Sequence, residues 1–196
     1  MVDFLKTQIQ LENDKVLLIP FTKEGAEKLR PIIFDNEVWK YMGMFIDTEA
    51  NFQNYVVDTL GKQHKTAYSF IIFDKQSNEA VGCTSYGNIN FNSEKLEIGW
   101  TWYGKKFQST GLNKACKYEL LKYGFEEIGL RRVQFSADLE NLKSQKAIEK
   151  LGAVREGVFR NNYIDSLGNS KDDVYYSIIK EDWATVKQNN FREFFV

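Results

Sequence analysis

Histidine, cysteine and proline are scarce in this 196-residue chain, with one, two and two copies respectively. That scarcity excludes several chemistries before any motif is considered. A single histidine, His64, and two widely separated cysteines, Cys83 and Cys116, cannot furnish a typical zinc site, so no metal is expected. A Ser–His–Asp triad would have to recruit His64, which lies in the polar segment Gly61–Thr66 with no nucleophile motif beside it. Cys83 in an apolar run and Cys116 in a helical one read as reduced core thiols. No apolar run approaches the length of a bilayer span, and Met1–Pro20 lacks the apolar stretch of a secretory signal. The net charge of −1 leaves no basic footprint for nucleic acid. The expectation is a cytoplasmic protein without membrane or nucleic-acid partners. At 43% hydrophobic and 27% charged residues, it reads as one ordinary globular domain over residues 1–196.

What is present is a regular alternation of element signals. Val16–Ile19 reads as a strand closed by Pro20, and Thr22 caps a helix over Lys23–Arg30 that Pro31 helps to end. Thr48 opens a second helix that reaches Leu60 and stops at Gly61. Ala67–Phe73 and Ala80–Ile89 are strands around the turn Asp74–Glu79. In the next strand Leu96, Ile98, Trp100 and Trp102 alternate with Glu97, Gly99, Thr101 and Tyr103, a period of two that puts the apolar set on one face and Glu97 on the other. Helices over Leu112–Ile128 and Leu142–Leu151 flank a strand at Val133–Ala137. Strands Val154–Tyr163 and Val174–Ile179, joined by the turn Asp165–Asn169, and a helix over Glu181–Lys187 close the chain. Consecutive strands imply antiparallel pairs, and the strand–helix–strand unit implies a parallel one. The expected class is therefore α/β (α+β), a mixed sheet with helices on both faces.

The chemistry should sit where the Glu97–Tyr103 strand passes through a short loop into the Leu112 helix. Amides at such a junction have no intrahelical partner, and the helix dipole adds positive potential, so the site favours an anion. Ser109, Thr110 and Gly111 are small enough for phosphate oxygens to approach the backbone, with Lys105 and Lys106 at the rim. A plain connection would look much the same, because neither a Walker-type nor a GxGxxG pattern is present.

The wider pattern resembles a known family. Gln108-Ser109-Thr110-Gly111-Leu112-Asn113 is similar to the Gln/Arg-x-x-Gly-x-Gly/Ala acetyl-CoA motif of the GNAT N-acetyltransferases. Glu97-Ile98-Gly99-Trp100 resembles the preceding strand of the RimJ/RimL-like branch, which acetylates ribosomal-protein N-termini. Asn141-Leu142-Lys143-Ser144 with Ala147 and Leu151-Gly152-Ala153 resembles that branch's next helix. Glu156-Gly157, Asp172–Ser177 and Asp182-Trp183 also fit it, so the resemblance runs from about Leu17 to Trp183.

The resemblance implies a splayed, mostly antiparallel sheet and acetyl-CoA as cosubstrate. Its pantetheine arm would pair with the Glu97–Tyr103 backbone, Trp100, Thr101 and Trp102 included. Its diphosphate would meet the amides of Gln108, Ser109, Thr110, Gly111, Leu112 and Asn113, and Asn141 would bond the arm or simply cap its helix. Asn113 stands where the family usually has Gly or Ala. Ile148 stands where many members carry a Tyr proton donor, which leaves Ser144 as the candidate acid for the thiolate, or else as a second helix cap. Glu97 is the candidate base for the ammonium of the acceptor, against a purely structural carboxylate. Tyr163 stands where the branch can place a catalytic carboxylate, and would shape the acceptor pocket instead. Trp39, Tyr41, Met42, Met44 and Phe45 either line the acceptor side or pack the core. The acceptor is a protein N-terminus or a small amine, both open, and a homodimer is expected by resemblance. The alternative is a silent module of this fold that holds CoA or a partner without turnover.

Overall fold

The computed structural model describes residues 3–195. Its strands are β1 (Leu11–Glu12), β2 (Val16–Pro20), β3 (Tyr68–Asp74), β4 (Glu79–Asn90), β5 (Lys95–Tyr103), β6 (Arg132–Asp138), β7 (Val154–Ile164) and β8 (Ser170–Ile179). They form one eight-stranded sheet in the order β1-β2-β3-β4-β5-β6-β8-β7. Every neighbouring pair is antiparallel except β5 and β6. The helices are α1 (Lys23–Glu27), α2 (Arg30–Ile33), α3 (Asn36–Trp39), α4 (Glu49–Lys62), α5 (Leu112–Lys122), α6 (Leu142–Glu149) and α7 (Lys180–Asn190). Among the described residues no helix is long and apolar enough to cross a membrane.

The alternation of each strand separates two cores. On one face Tyr86, Leu96, Ile98, Val133 and Phe135 pack beneath α5, α6 and α7 through Leu120, Ile148 and Trp183. On the other face Ile71, Cys83 and Trp102 meet Trp39 of α3 and Phe52 and Val56 of α4. Thr22 caps α1 by accepting from the Gly25 amide at 3.0 Å, and Thr48 caps α4 by accepting from Asn51 at 3.2 Å.

Several local expectations are corrected. Pro31 does not end the first helix; that helix stops at Glu27, and Pro31 lies in the first turn of α2, where a missing N–H costs nothing. Gly61 does not stop α4, which runs through it to Lys62 and leaves the helix at Gln63. The Leu112 helix changes after Lys122 into a π-helical turn, Tyr123–Ile128, before Gly129 at φ +80° closes it.

The largest correction lies in β5. Cys83 pairs with Trp102 and Ser85 with Gly99, so β5 holds one extra residue over that interval. The backbone absorbs it at Trp100, at φ +51°. A bulky side chain in this left-handed region costs on the order of 1–3 kcal/mol. The slip moves Trp102 to the opposite core from Leu96 and Ile98, so the predicted single apolar face is broken at the bulge.

Candidate active site

The parallel pair is short. Lys95, Leu96 and Glu97 face Arg132, Val133 and Gln134, and pairing ends there. Both strands continue, β5 to Tyr103 and β6 to Asp138, so a cleft opens between them from Glu97 onward. The bulge at Trp100 falls inside that free stretch of β5.

One end of the cleft leads to the start of α5. Gly111 at φ +91° is the cap residue, and no side chain among the described residues caps the helix. Ser109 is also left-handed, at φ +65°, so the chain folds back tightly before the helix. Gln108 donates to the Tyr103 carbonyl at 3.1 Å and Thr110 to the Phe107 carbonyl at 2.7 Å, which fixes the loop from within. Leu112 is buried and Asn113 is half-buried. Two cations flank this end that the sequence reading overlooked. Lys143 of α6 donates to Gln108 Oε1 at 2.7 Å, and Lys15 Nζ lies 3.9 Å from where a Cβ on Gly111 would stand. Lys106, expected at the rim, instead pairs with Glu79 at 2.9 Å. Uncapped amides, a positive dipole and these two lysines suit a diphosphate.

Glu97 lies on the face opposite α5 and is only 4% exposed. Three side chains converge on its oxygens: Asn88 and Gln134 donate to Oε2 at 2.9 Å each, and Ser136 to Oε1 at 2.7 Å. These donors come from β4 and β6, so the carboxylate is pinned across the point where the cleft begins. The Trp100 indole covers Gly87 on the same face; a Cβ on Gly87 would stand 2.2 Å from the ring. Trp100 is 46% exposed, whereas Trp39, Trp102 and Trp183 are buried.

The register of β6, β8 and β7 brings further groups to that face. Gln134, Ser136 and Asp138 share it by alternation, and Ser136 pairs with Tyr175 and Asp138 with Asp173. Tyr163 of β7 donates to Asp138 Oδ2 at 2.5 Å, and Asn162 donates to Asp173 Oδ2 at 2.9 Å. Burial pushes the Asp173 carboxyl up, despite the Asn162 bond, and the nearby Asp138 and Glu97 charges add to the rise. Burial, then the Asp138 carboxylate, pushes the Tyr163 hydroxyl well up. Phe159 stacks on Tyr175 with centroids 4.4 Å apart. A Cβ on Gly43 would come within 3.8 Å of the Tyr163 ring, so the loop after α3 reaches this wall.

The remaining candidates separate by burial. Trp39 takes the core role: it is 1% exposed, packs on Trp102 at 5.1 Å and donates to the Ile33 carbonyl. Tyr41 is half-buried with Lys40 over its ring. Trp102 directs its indole to Tyr55, leaving only backbone for the cleft. Asn141 caps α6 by accepting from the Ser144 amide at 3.0 Å, so Ser144 is the capped residue rather than a second cap. Ile148 is buried in the core. Burial pushes the Cys83 and Cys116 thiols up to about 12 and about 11. His64 turns its Nδ1 toward the Leu5 carbonyl at 2.5 Å and packs against Tyr68, a structural position.

Comparison with known proteins accords with this geometry. The family model for the acetyltransferase (GNAT) domain matches residues 15–154. The chain belongs to the GNAT acetyltransferase family. It is 26% identical over 180 residues to YdaF of Bacillus subtilis (strain 168), which carries a provisional name as a ribosomal N-acetyltransferase; the match covers 89% of this chain and 97% of YdaF. YnaD of the same organism, an uncharacterized N-acetyltransferase, is 28% identical over 175 residues, covering 89% and 99%. A GNAT-family acetyltransferase of Bacillus anthracis superposes with a TM-score of 0.75 at 26% identity, covering 88% of this chain and 99% of that one. These likenesses support the RimJ/RimL-like branch and a splayed mixed sheet.

Proposed function

We propose that this chain is an acetyl-CoA-dependent N-acetyltransferase that acetylates a primary amine by direct attack in a ternary complex. The observation that carries the proposal is the parting of β5 and β6 immediately beyond Glu97 and Gln134, with uncapped α5 amides at one end and a pinned carboxylate on the far face. Acetyl-CoA would lay its diphosphate on the Gln108–Asn113 turn and its pantetheine arm along the free edge of β5. Asn141 and Ser144, at the start of α6, would flank the arm. The thioester would then lie near the bulge, within reach of the Glu97 face.

The acceptor would approach from that face as an ammonium ion. Glu97, Asp138 and Asp173 favour a cation there, and Trp100 and Tyr175 offer aromatic surface to it. Glu97 takes a proton from the ammonium, directly or through water, and the neutral nitrogen attacks the thioester carbonyl carbon. The oxyanion that forms is met by β5 backbone amides; its collapse breaks the C–S bond, and the attacking nitrogen gives up its second proton as the thiolate takes one up. Ser144 is the hydroxyl proposed to donate to the departing thiolate. The products are an N-acetylated amine and CoA. A protein N-terminus and a small amine both satisfy this chemistry. The provisional name of YdaF makes a ribosomal-protein N-terminal peptide the first acceptor to try.

Release of free CoA thiol from acetyl-CoA, followed across a panel of N-terminal peptides and small primary amines, tests the proposal. At least one acceptor should stimulate release and gain one acetyl group by mass. Binding of acetyl-CoA without stimulation by any acceptor would instead favour a silent CoA-binding module.

A further inference from the structure

Lys117 is a buried charged residue that the proposed chemistry leaves unused. It lies in the second turn of α5, is 5% exposed, and points into the layer between that helix and the sheet. Buried lysines ordinarily answer a carboxylate, because an unpaired ammonium in a low-dielectric layer is costly. Here the partners of Nζ are hydroxyls: Thr101 Oγ1 at 2.6 Å and Thr84 Oγ1 at 3.2 Å. Thr84 and Thr101 are themselves 2.8 Å apart, and Thr101 Oγ1 also bonds the Gly99 carbonyl at 3.3 Å.

These bonds have one consistent direction. Lys117 has only protons to give, so both hydroxyls accept from it. Thr84 can then donate to Thr101, and Thr101 to the Gly99 carbonyl. The ammonium thus reaches, through Thr101, both sides of the left-handed Trp100. Among the described residues no other side-chain bond of β5 spans that bulge. The segment it holds, Gly99–Thr101, is part of the β5 edge that β6 leaves unpaired.

We propose that Lys117 is a positioning residue of the cofactor cleft, which holds the β5 bulge through Thr101 so that the free strand edge is set to pair with acetyl-CoA. The inference rests on the acetyl-CoA reading above. Its physical logic is that a strained backbone needs an external restraint, and a buried cation supplies one at a cost that ligand binding can repay. The charge also lies within two turns of the amides proposed for the diphosphate, where it adds to their positive potential.

The ionisation of Lys117 gives the proposal a readout. Burial lowers its ammonium to about 8, with the neighbouring Cys116 thiol opposing that shift. Cys116 is the titratable group beside it on α5, with Tyr103 of β5 against Cys116 and Glu119 further along the helix. Thr84 and Thr101, which face it from β4 and β5, do not titrate. Above pH 8 the lysine loses its charge: the neutral amine can still donate to both hydroxyls, but the bonds are no longer charge-assisted and the added positive potential is gone, while the phosphates of acetyl-CoA stay ionised throughout.

The experiment is calorimetric titration of acetyl-CoA into the wild type, Lys117→Met and Thr101→Val between pH 7 and 9.5, with melting temperatures of the free proteins. The wild type should bind less tightly as pH rises past about 8. Lys117→Met should bind about tenfold more weakly at pH 7, show no such pH dependence, and melt no lower than the wild type. Thr101→Val, which keeps the side-chain shape but removes the relay, should also bind more weakly. Wild-type affinity at pH 7 in both variants would overturn the inference while leaving the acetyl-CoA reading intact. Weaker binding that tracks a lower melting temperature in Lys117→Met, with Thr101→Val unaffected, would mark a packing role and overturn it too. If the wild type does not bind acetyl-CoA at any pH, the functional reading falls and this inference falls with it.

Discussion

The Tyr163 hydroxyl donates to Asp138 Oδ2 at 2.5 Å, joining β7 to β6 across the intervening β8. Asp138 is 5% exposed, so this bond satisfies a carboxylate that water scarcely reaches. Tyr163→Phe removes the donor and leaves the acceptor buried, which costs about 1–3 kcal/mol. The expected result is a lower melting temperature at pH 7. Equal stability of the two proteins at pH 7 would show that the bond contributes nothing.

Glu97→Gln keeps the shape of the pinned side chain and deletes its basicity. General bases contribute about 10²–10⁴-fold to rate. With any acceptor that stimulates CoA release, the variant should lose turnover by that range while its acetyl-CoA affinity changes less than about threefold. Full retention of turnover would leave Glu97 as a structural link among Asn88, Gln134 and Ser136 and move the base elsewhere.

Gly87 bears on the placement of Trp100. A Cβ there would stand 2.2 and 2.5 Å from two ring carbons, so Gly87→Ala must push the indole off the sheet. Only the outer edge of a half-exposed ring has to yield, so the stability cost should fall at the low end for overpacking, about 1 kcal/mol. Trp100 is 46% exposed while the other tryptophans are buried. Acrylamide quenching of intrinsic fluorescence therefore reports chiefly on this ring, and it should increase in Gly87→Ala. If Trp100 faces the acceptor, the variant's KM for the acceptor should rise with its acetyl-CoA affinity unchanged.

Much of this fold was legible because local signals agreed with the tertiary outcome. Thr22, Thr48 and Asn141 each cap the helix that their position announces, and the apolar alternation at Leu96 and Ile98 marks a true buried face. The loop proposed for the diphosphate stood out through its neighbours, since its own residues match no stringent phosphate motif. The bulge at Trp100 was not legible: its alternation stays regular in the sequence, and only pairing with β4 reveals the extra residue. The acidic, aromatic wall was legible only in part, through Tyr163, for a similar reason. Asp138, Tyr163, Asp173 and Tyr175 come from three strands, and register alone brings them together. Lys117 was missed because a lysine on an amphipathic helix is ordinarily solvated, and nothing local marks this one as buried.

The thiols provide a test of core integrity. Cys83 and Cys116 are both buried, and burial raises them to about 12 and about 11. The thiolate is the reactive form, so native protein at pH 8 should react with an aromatic disulfide reagent far more slowly than a free thiol. Two equivalents should react promptly once denaturant is added. Fast reaction of either thiol in the native protein would indicate that its side of the sheet opens locally.

Lys117 also makes a prediction about stability that is independent of any ligand. Its ammonium falls from an ordinary 10.5 to about 8 in the folded protein. Between these values the unfolded chain binds more protons at this site than the folded one, so stability must rise with pH across that interval. The shift corresponds to about 3 kcal/mol from this group, absent below pH 8, growing above it and complete near pH 10.5. Denaturant titrations of the wild type should show this rise superimposed on contributions from other groups. Lys117→Met carries no charge into the core at any pH, so the rise should be missing from the variant's profile and should appear in the difference between the two proteins. The variant should be the more stable protein at pH 7, and the gap should close toward pH 10.5. A constant stability difference across this range would mean that Lys117 keeps its proton in the fold, with the Thr84 and Thr101 hydroxyls offsetting the cost of its burial.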